Sequence, residues 1–214
     1  MTLNETFTLK DVKLMNKKVN YHGFFHVDEL TFKHKLFSGG WSAEVKREVF
    51  ERGDAVAVLA YDPQSDQVIL VEQIRVPILS RIHSKHEQSP WLLELAAGMV
   101  EPNETPEEVA RRELLEETGL EAIQLNKITH FYPSPGGCSE RIDLYLAWVD
   151  ATKAKGIHGL ASEHEDIRVH VMSRINAYNK VVSGEIVSAP TMIGLQWLMM
   201  NYSALEVVVK SDTI

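Results

Sequence analysis

Cysteine is almost absent: Cys138 stands alone among 214 residues, so no intrachain disulfide can form. A reducing compartment suits such a chain better than a secreted one. No apolar run approaches the ~20 residues that a membrane-spanning helix needs. Met1 to Lys18 has no apolar stretch of signal-peptide length either. The expected location is cytoplasmic. A basic surplus is also missing, since 30 acidic residues outnumber 22 basic ones and leave a formal charge of −8. The chain therefore has little with which to release counterions from a nucleic-acid backbone or to seek an anionic bilayer. Neither nucleic acid nor membrane is expected as a partner. Phosphates stay open as substrates if divalent cations bring the positive charge. The nine histidines show no ligand spacing near the chain's acidic helix, which argues against a zinc site.

What is present is ordinary globular material, 44% apolar and 24% charged, enough for one or two domains. Residues 1–52 read as a small antiparallel β-sheet domain. Its expected strands are Tyr21–Val27, Leu30–Phe37 and Ser42–Phe50, from period-2 alternation with aromatic and β-branched residues. Three such strands bury too little surface to stand alone. They are expected to pack on the rest of the chain or on a second copy.

Residues 53–214 read as the second domain. Ala55–Tyr61 and Gln67–Gln73 are expected to pair through the turn Asp62-Pro63-Gln64-Ser65-Asp66. Further strands are expected at Leu92–Ala97, Ile128–Tyr132, Ile142–Val149 and Ile167–Met172. Helices are expected at Arg174–Ser183 and Thr191–Tyr202, with Pro190 at a helix start. Strands and helices mix without regular βαβ alternation, which predicts an α+β fold with a mixed sheet.

The informative stretch is Gly98–Leu120. Thr105, Pro106 and Glu108 spell a helix start with a capping box, and Gly119 spells its end after Thr118. Glu113 and Glu117 lie one turn apart on one face, with Glu116 beside them. Two readings fit this helix by itself. One is a solvated charged face diluted by Arg111 and Arg112. The other is a hard-cation site, in which oxygen ligands bind Mg²⁺ and cancel the repulsion.

The wider spacing decides between them. Gly98, Glu104, Arg112-Glu113-Leu114, Glu116-Glu117 and Gly119-Leu120 resemble the Nudix box at every defined position. A chance match is roughly 10⁻⁸ at background frequencies. The resemblance implies an α/β/α Nudix sandwich that hydrolyses a nucleoside diphosphate linked to another group. It implies Mg²⁺ or Mn²⁺ as cofactor, on the order of two or three ions per site. Pro135, fifteen residues after Leu120, resembles the mark of the family's ADP-ribose pyrophosphatase branch. Similar strings run over nearly the whole chain, including Arg47–Gly53, Glu72–Arg75, Trp91–Gly98, Gly156–Leu160 and Glu163–Val169.

The resemblance implies roles residue by residue. Metal ligands are Glu113, Glu117, Glu165 and the backbone carbonyl of Ala97, and Glu163 is the catalytic base. The sequence itself leaves open which of Glu163 and Glu165 is base and which is ligand. Substrate contacts are Phe24, Phe25, Arg47, Glu48, Arg52, Arg75, Met99, Ser134, Pro135, Gly136 and Glu140. Glu94 and Glu104 read as supporting carboxylates. The N-terminal sheet is expected to be shared or exchanged across a homodimer. The implied reaction turns ADP-ribose and water into AMP and ribose 5-phosphate. A broader nucleoside-diphosphate-sugar pyrophosphatase is the alternative. A ligand-binding regulator is disfavoured, because the paired glutamates are intact and no helix-turn-helix pattern appears.

Overall fold

The computed structural model describes residues 7–80 and 88–211. Its first strands are β1 (Val12–His22), β2 (His26–His34) and β3 (Val45–Glu51), an antiparallel sheet in the order β1-β2-β3. Tyr21–Val27 is thus not a strand. His22 pairs with His26, and Gly23, Phe24 and Phe25 make the bend between β1 and β2. The bend explains the glycine: a Cβ on Gly23 would stand 2.4 Å from Tyr21 Oη. The strand that the sequence concealed is β1, exposed at every position. With no buried face it has no alternation to write.

Residues 1–53 and 134–140 form one compact unit, and residues 54–133 and 141–214 form another. In the first unit, Gly137–Ser139 lies along β3 through Phe50 N to Gly137 O (2.8 Å) and Ser139 N to Phe50 O (3.2 Å).

The second unit is built on β4 (Ala55–Asp62), β5 (Gln67–Ile74), β6 (Trp91–Glu94), β7 (Ala96–Met99), β8 (Gln124–Phe131), β9 (Ile142–Trp148), β10 (Ile157–His158) and β11 (Ile167–Ser173). Their order is β10-β11-β5-β4-β9-β8, with β6 paired to β5 and β7 to β4. Only β4 and β9 run parallel, so the sheet is mixed. The helices are α1 (Val76–Leu79), α2 (Pro106–Thr118), α3 (Arg174–Ser183) and α4 (Ala189–Ser211).

β4 is buried at all eight positions, so its sequence runs apolar instead of alternating. One face of the sheet packs Ala57, Leu59, Leu70 and Leu144 against Ala177 of α3 and Leu195 and Leu198 of α4. The other packs Val56, Val58, Ile69 and Ala147 against Val109, Ala110 and Leu114 of α2. Two helical layers around a mixed sheet make the α/β/α sandwich. Leu114 is fully buried, so its truncation to alanine costs about 2–5 kcal/mol.

The strand expected at Leu92–Ala97 is two strands. Between them Leu95 gives its N–H to Thr191 Oγ1 of α4 at 3.1 Å, leaving the ladder for one residue. That interruption moves the chain from pairing with β5 to pairing with β4. It delivers Ala97 and Gly98 to α2. Among the described residues, no helix is long and apolar enough to cross a membrane.

Candidate active site

The ends of α2 are fixed locally. Thr105 Oγ1 accepts from Glu108 N at 3.3 Å, Glu108 Oε2 accepts from Thr105 N at 2.7 Å, and Gly119 closes the helix in the left-handed region at φ 70°. Cap, first-turn proline and stop all lie where the sequence put them. The buried face of α2 comprises Val109, Ala110, Leu114, Glu117 and Thr118. Glu117 therefore enters the interior on the same stripe as Leu114.

Glu117 as a whole is only 2% exposed. Oε2 accepts from Ala97 N at 3.0 Å, and Oε1 accepts from Gln73 Nε2 at 3.1 Å. Burial pushes the Glu117 pKa up to about 8. The Ala97 N–H, Arg75 and Gln73 pull it down, and the charge of Glu113 pushes it further up. Glu113 is also lifted, chiefly by burial. Arg112 opposes that shift, while Glu116 and Glu165 add repulsion. Gly98 makes room for Glu113: a Cβ there would stand 1.8 Å from Glu113 Oε1.

Arg112 gathers the remaining charge. Its Nε and Nη2 grip Glu104 at 2.9 and 3.0 Å, and its Nη1 reaches Glu113 at 2.7 Å and Glu116 at 3.1 Å. The hydrogen bonds from Arg112 hold the Glu104 carboxyl below the usual carboxylate range. Arg75 lies at the end of β5 and donates through Nε to Glu94 of β6. Met99, half-buried, closes β7 opposite Ala55.

The loop after β10 is tied to the end of α2 by Gly159 N, which donates to Glu116 O at 3.1 Å. Gly159 has φ +100°, and a Cβ on it would stand 2.6 Å from Glu165 Cβ. Glu165 is half-buried and accepts from Leu160 N at 3.0 Å. Glu163 ends a short 3₁₀ turn, Ala161–Glu163, and is exposed. Glu117 thus meets Ala97, Glu113 stands one turn away against Gly98, and Glu165 lies near enough to add to the charge on Glu113, with Glu163 two residues away on the same loop. Sequence reasoning missed Gln73. Its signal was a polar residue at the end of the apolar strand run Val68–Val71.

The other expected substrate contacts, apart from Arg75 and Met99, belong to the first unit. Phe24 is exposed in the β1–β2 bend, with its ring 4.8 Å from that of Phe25. Arg52 lies 5.7 Å over Phe25, and its Nε is 3.3 Å from Glu140 Oε1. Arg47 donates to Lys46 O at 2.7 Å, and Glu48 accepts from Asn20 Nδ2 at 3.5 Å. Ser134, Pro135 and Gly136 form an exposed turn.

Among the described residues, no three acidic, histidine or cysteine side chains already converge as a ligand set. The donor chemistry nevertheless fits a hard divalent cation. Glu113, Glu117 and Glu165 offer only oxygen, and the carboxylate repulsion that adds to burial in lifting Glu113 and Glu117 is what a cation relieves.

The model of the NUDIX domain matches residues 51–186, well over half of the chain. The chain belongs to the Nudix family. Its relatives extend past the box. It is 48% identical to an ADP-ribose pyrophosphatase of Haemophilus influenzae over 94% of this chain and 91% of that protein. It is 48% identical to an ADP-ribose pyrophosphatase of Escherichia coli over 94% of each chain. A GDP-mannose pyrophosphatase of Escherichia coli is 30% identical over 90% of this chain and 97% of its own length.

Proposed function

We propose that this Nudix protein hydrolyses the pyrophosphate of ADP-ribose to AMP and ribose 5-phosphate. The observation that carries the reading is Glu113 and Glu117 one turn apart on α2 of a family scaffold, with Glu117 buried against Ala97 and Gln73, Glu113 fitted against Gly98, and Glu165 near enough to bear on the charge of Glu113. The ADP-ribose part rests on the 48% identity to enzymes of that name over nearly the full length.

In this reading Glu113, Glu117, Glu165 and the Ala97 carbonyl hold Mg²⁺ or Mn²⁺, on the order of two or three ions per site. Bound there, the cations supply neutralisation of the pyrophosphate charge, polarisation of its P–O bonds and a lowered pKa for water. Glu163, exposed on its loop, accepts the proton of the attacking water. The water oxygen bonds to phosphorus, the bridging P–O bond breaks, and the leaving phosphate departs with that electron pair. Arg112 keeps Glu113 and Glu116 oriented through its bonds to both. Arg75, Met99, Ser134, Pro135, Gly136 and Glu140 contact the substrate. Phe24, Phe25, Arg47, Glu48 and Arg52 contact it from an N-terminal unit shared across a homodimer. A base stacked on the exposed Phe24 ring gains roughly 1–3 kcal/mol. The enzyme works in the cytoplasm.

The 30% identity to GDP-mannose pyrophosphatases favours a second reading, a broader nucleoside-diphosphate-sugar pyrophosphatase. A panel of ADP-ribose, ADP-glucose, GDP-mannose and NADH, with and without EDTA, tests both. Preference for ADP-ribose supports the first reading, and equal turnover of all four replaces it with the second. Turnover that survives EDTA removes the role given to the carboxylates.

A further inference from the structure

Phe50 connects two features through different parts of itself. Its backbone N–H and carbonyl bind Gly137 and Ser139, which makes Cys138 its parallel bridge partner. Ser139 Oγ also donates to Glu51 Oε2 and lies 3.4 Å from Phe50 O. Just upstream, Ser134 O accepts from Gly137 N at 3.2 Å and Cys138 N at 3.0 Å, closing the Ser134–Gly136 turn. The turn is thus anchored to β3 only one residue beyond its end. The ring of Phe50 meets the ring of Phe25 edge-on at 5.1 Å, and Phe25 in turn touches Phe24.

Gly136 and Gly137 have nothing within 4 Å of where a Cβ would stand. Local packing therefore does not restrain them, and glycine gives the turn many conformations to lose. Beyond the bonds that close the turn on Ser134 O, its order comes from the bonds of residues 137–139 to Phe50 and Glu51.

We infer that Phe50, Glu51 and Ser139 are positioning residues. They hold the Ser134–Gly136 turn and the Phe24–Phe25 pair in one arrangement and set substrate affinity, not the chemical step. The inference rests on the proposal that the turn and the aromatic pair contact substrate. Loosening either leaves binding to supply the ordering, so KM rises while kcat stays.

The test is steady-state kinetics of the full chain on ADP-ribose and GDP-mannose at saturating Mg²⁺. Wild type is compared with Ser139→Ala, Ser139→Thr, Phe50→Leu and Glu51→Gln. Ser139→Ala and Phe50→Leu are expected to raise KM roughly tenfold with kcat within about twofold. Ser139→Thr, which keeps the hydroxyl, restores the wild-type KM. Hydrogen exchange at residues 134–139 quickens in Ser139→Ala. If that variant does not fold, Glu51→Gln reads the same bond. An unchanged KM in an active enzyme, or a kcat that falls in step with the rise in KM, overturns the inference alone. A wild type inactive on both substrates withdraws the functional reading and this inference with it.

Discussion

Gly98 and Glu113 occupy one space: a side-chain carbon on the glycine would overlap the carboxylate at 1.8 Å from Oε1 and 2.0 Å from Cδ. Gly98→Ala must therefore expel Glu113 from its place beside Glu117. A displacement of about 1 Å at a catalytic group can cost on the order of 10²-fold. Gly98→Ala is expected to lose at least that much Mg²⁺-dependent ADP-ribose hydrolysis while keeping its circular dichroism spectrum. Activity within a few fold of wild type would show that Glu113 is not needed where it stands.

Glu117 predicts a pH dependence with a definite sign. Its folded pKa of about 8 stands above the ordinary 4.5. Between those values the native state keeps a proton that the unfolded chain has released. The stability of the metal-free protein is therefore greatest below pH 4.5 as far as this group is concerned. It declines as pH rises and is lost through pH 8, by a few kcal/mol at most. Glu117→Gln should flatten that slope in EDTA, measured by urea denaturation across pH 5–9. Mg²⁺ affinity in the wild type should climb over the same window, since the ligand must be ionised. A wild type and a Glu117→Gln variant with parallel stability profiles would contradict the buried carboxyl.

The local part of this site could be read directly. The cap at Thr105, the proline at 106 and the stop at Gly119 lie within fifteen residues, and so does the Glu113–Glu117 pair. Local hydrogen bonding fixes the helix ends, and the helical period places the pair on one face. What sequence reading missed was long-range. Gln73 reaches Glu117 across 44 positions, and Arg174 reaches Asp66 across 108. Nothing in either local pattern points to its partner. The bend at Gly23–Phe25 was misread for another reason. Its aromatic rings extend the alternation of a strand through a turn, whereas the true strand β1 has no buried face.

That distant pair gives a control on stability. Arg174 meets both Asp66 oxygens at 2.8 and 2.9 Å, lies 3.5 Å over the Tyr202 ring, and shares Asp66 with the Tyr61 hydroxyl. Arg174→Met leaves Asp66 and Tyr61 without that cation. Asp66 is about a third exposed, so the cost is about 2 kcal/mol, below that of a fully buried pair. The melting temperature should fall by roughly 5 °C, with kcat of the folded fraction unchanged. An unaltered melting temperature would mean that the pair does not stabilise the fold.

Glu163 and Glu165 should separate by what they disturb. Glu165 adds to the repulsion on Glu113 and is fixed by Leu160 N and the close approach of Gly159, as suits a ligand held in place. Glu163 stands exposed at the end of its turn, next to His164 at φ 57°, and in the proposed mechanism takes the proton of the attacking water. Glu163→Gln is expected to lower kcat by about 10²–10⁴-fold with little change in the Mg²⁺ concentration giving half activity. Glu165→Gln is expected to raise that midpoint about tenfold or more, since it removes a charged oxygen ligand. Excess Mg²⁺ should then recover much of its activity and none of that lost in Glu163→Gln. The opposite pattern, with metal rescuing Glu163→Gln alone, would exchange the two roles.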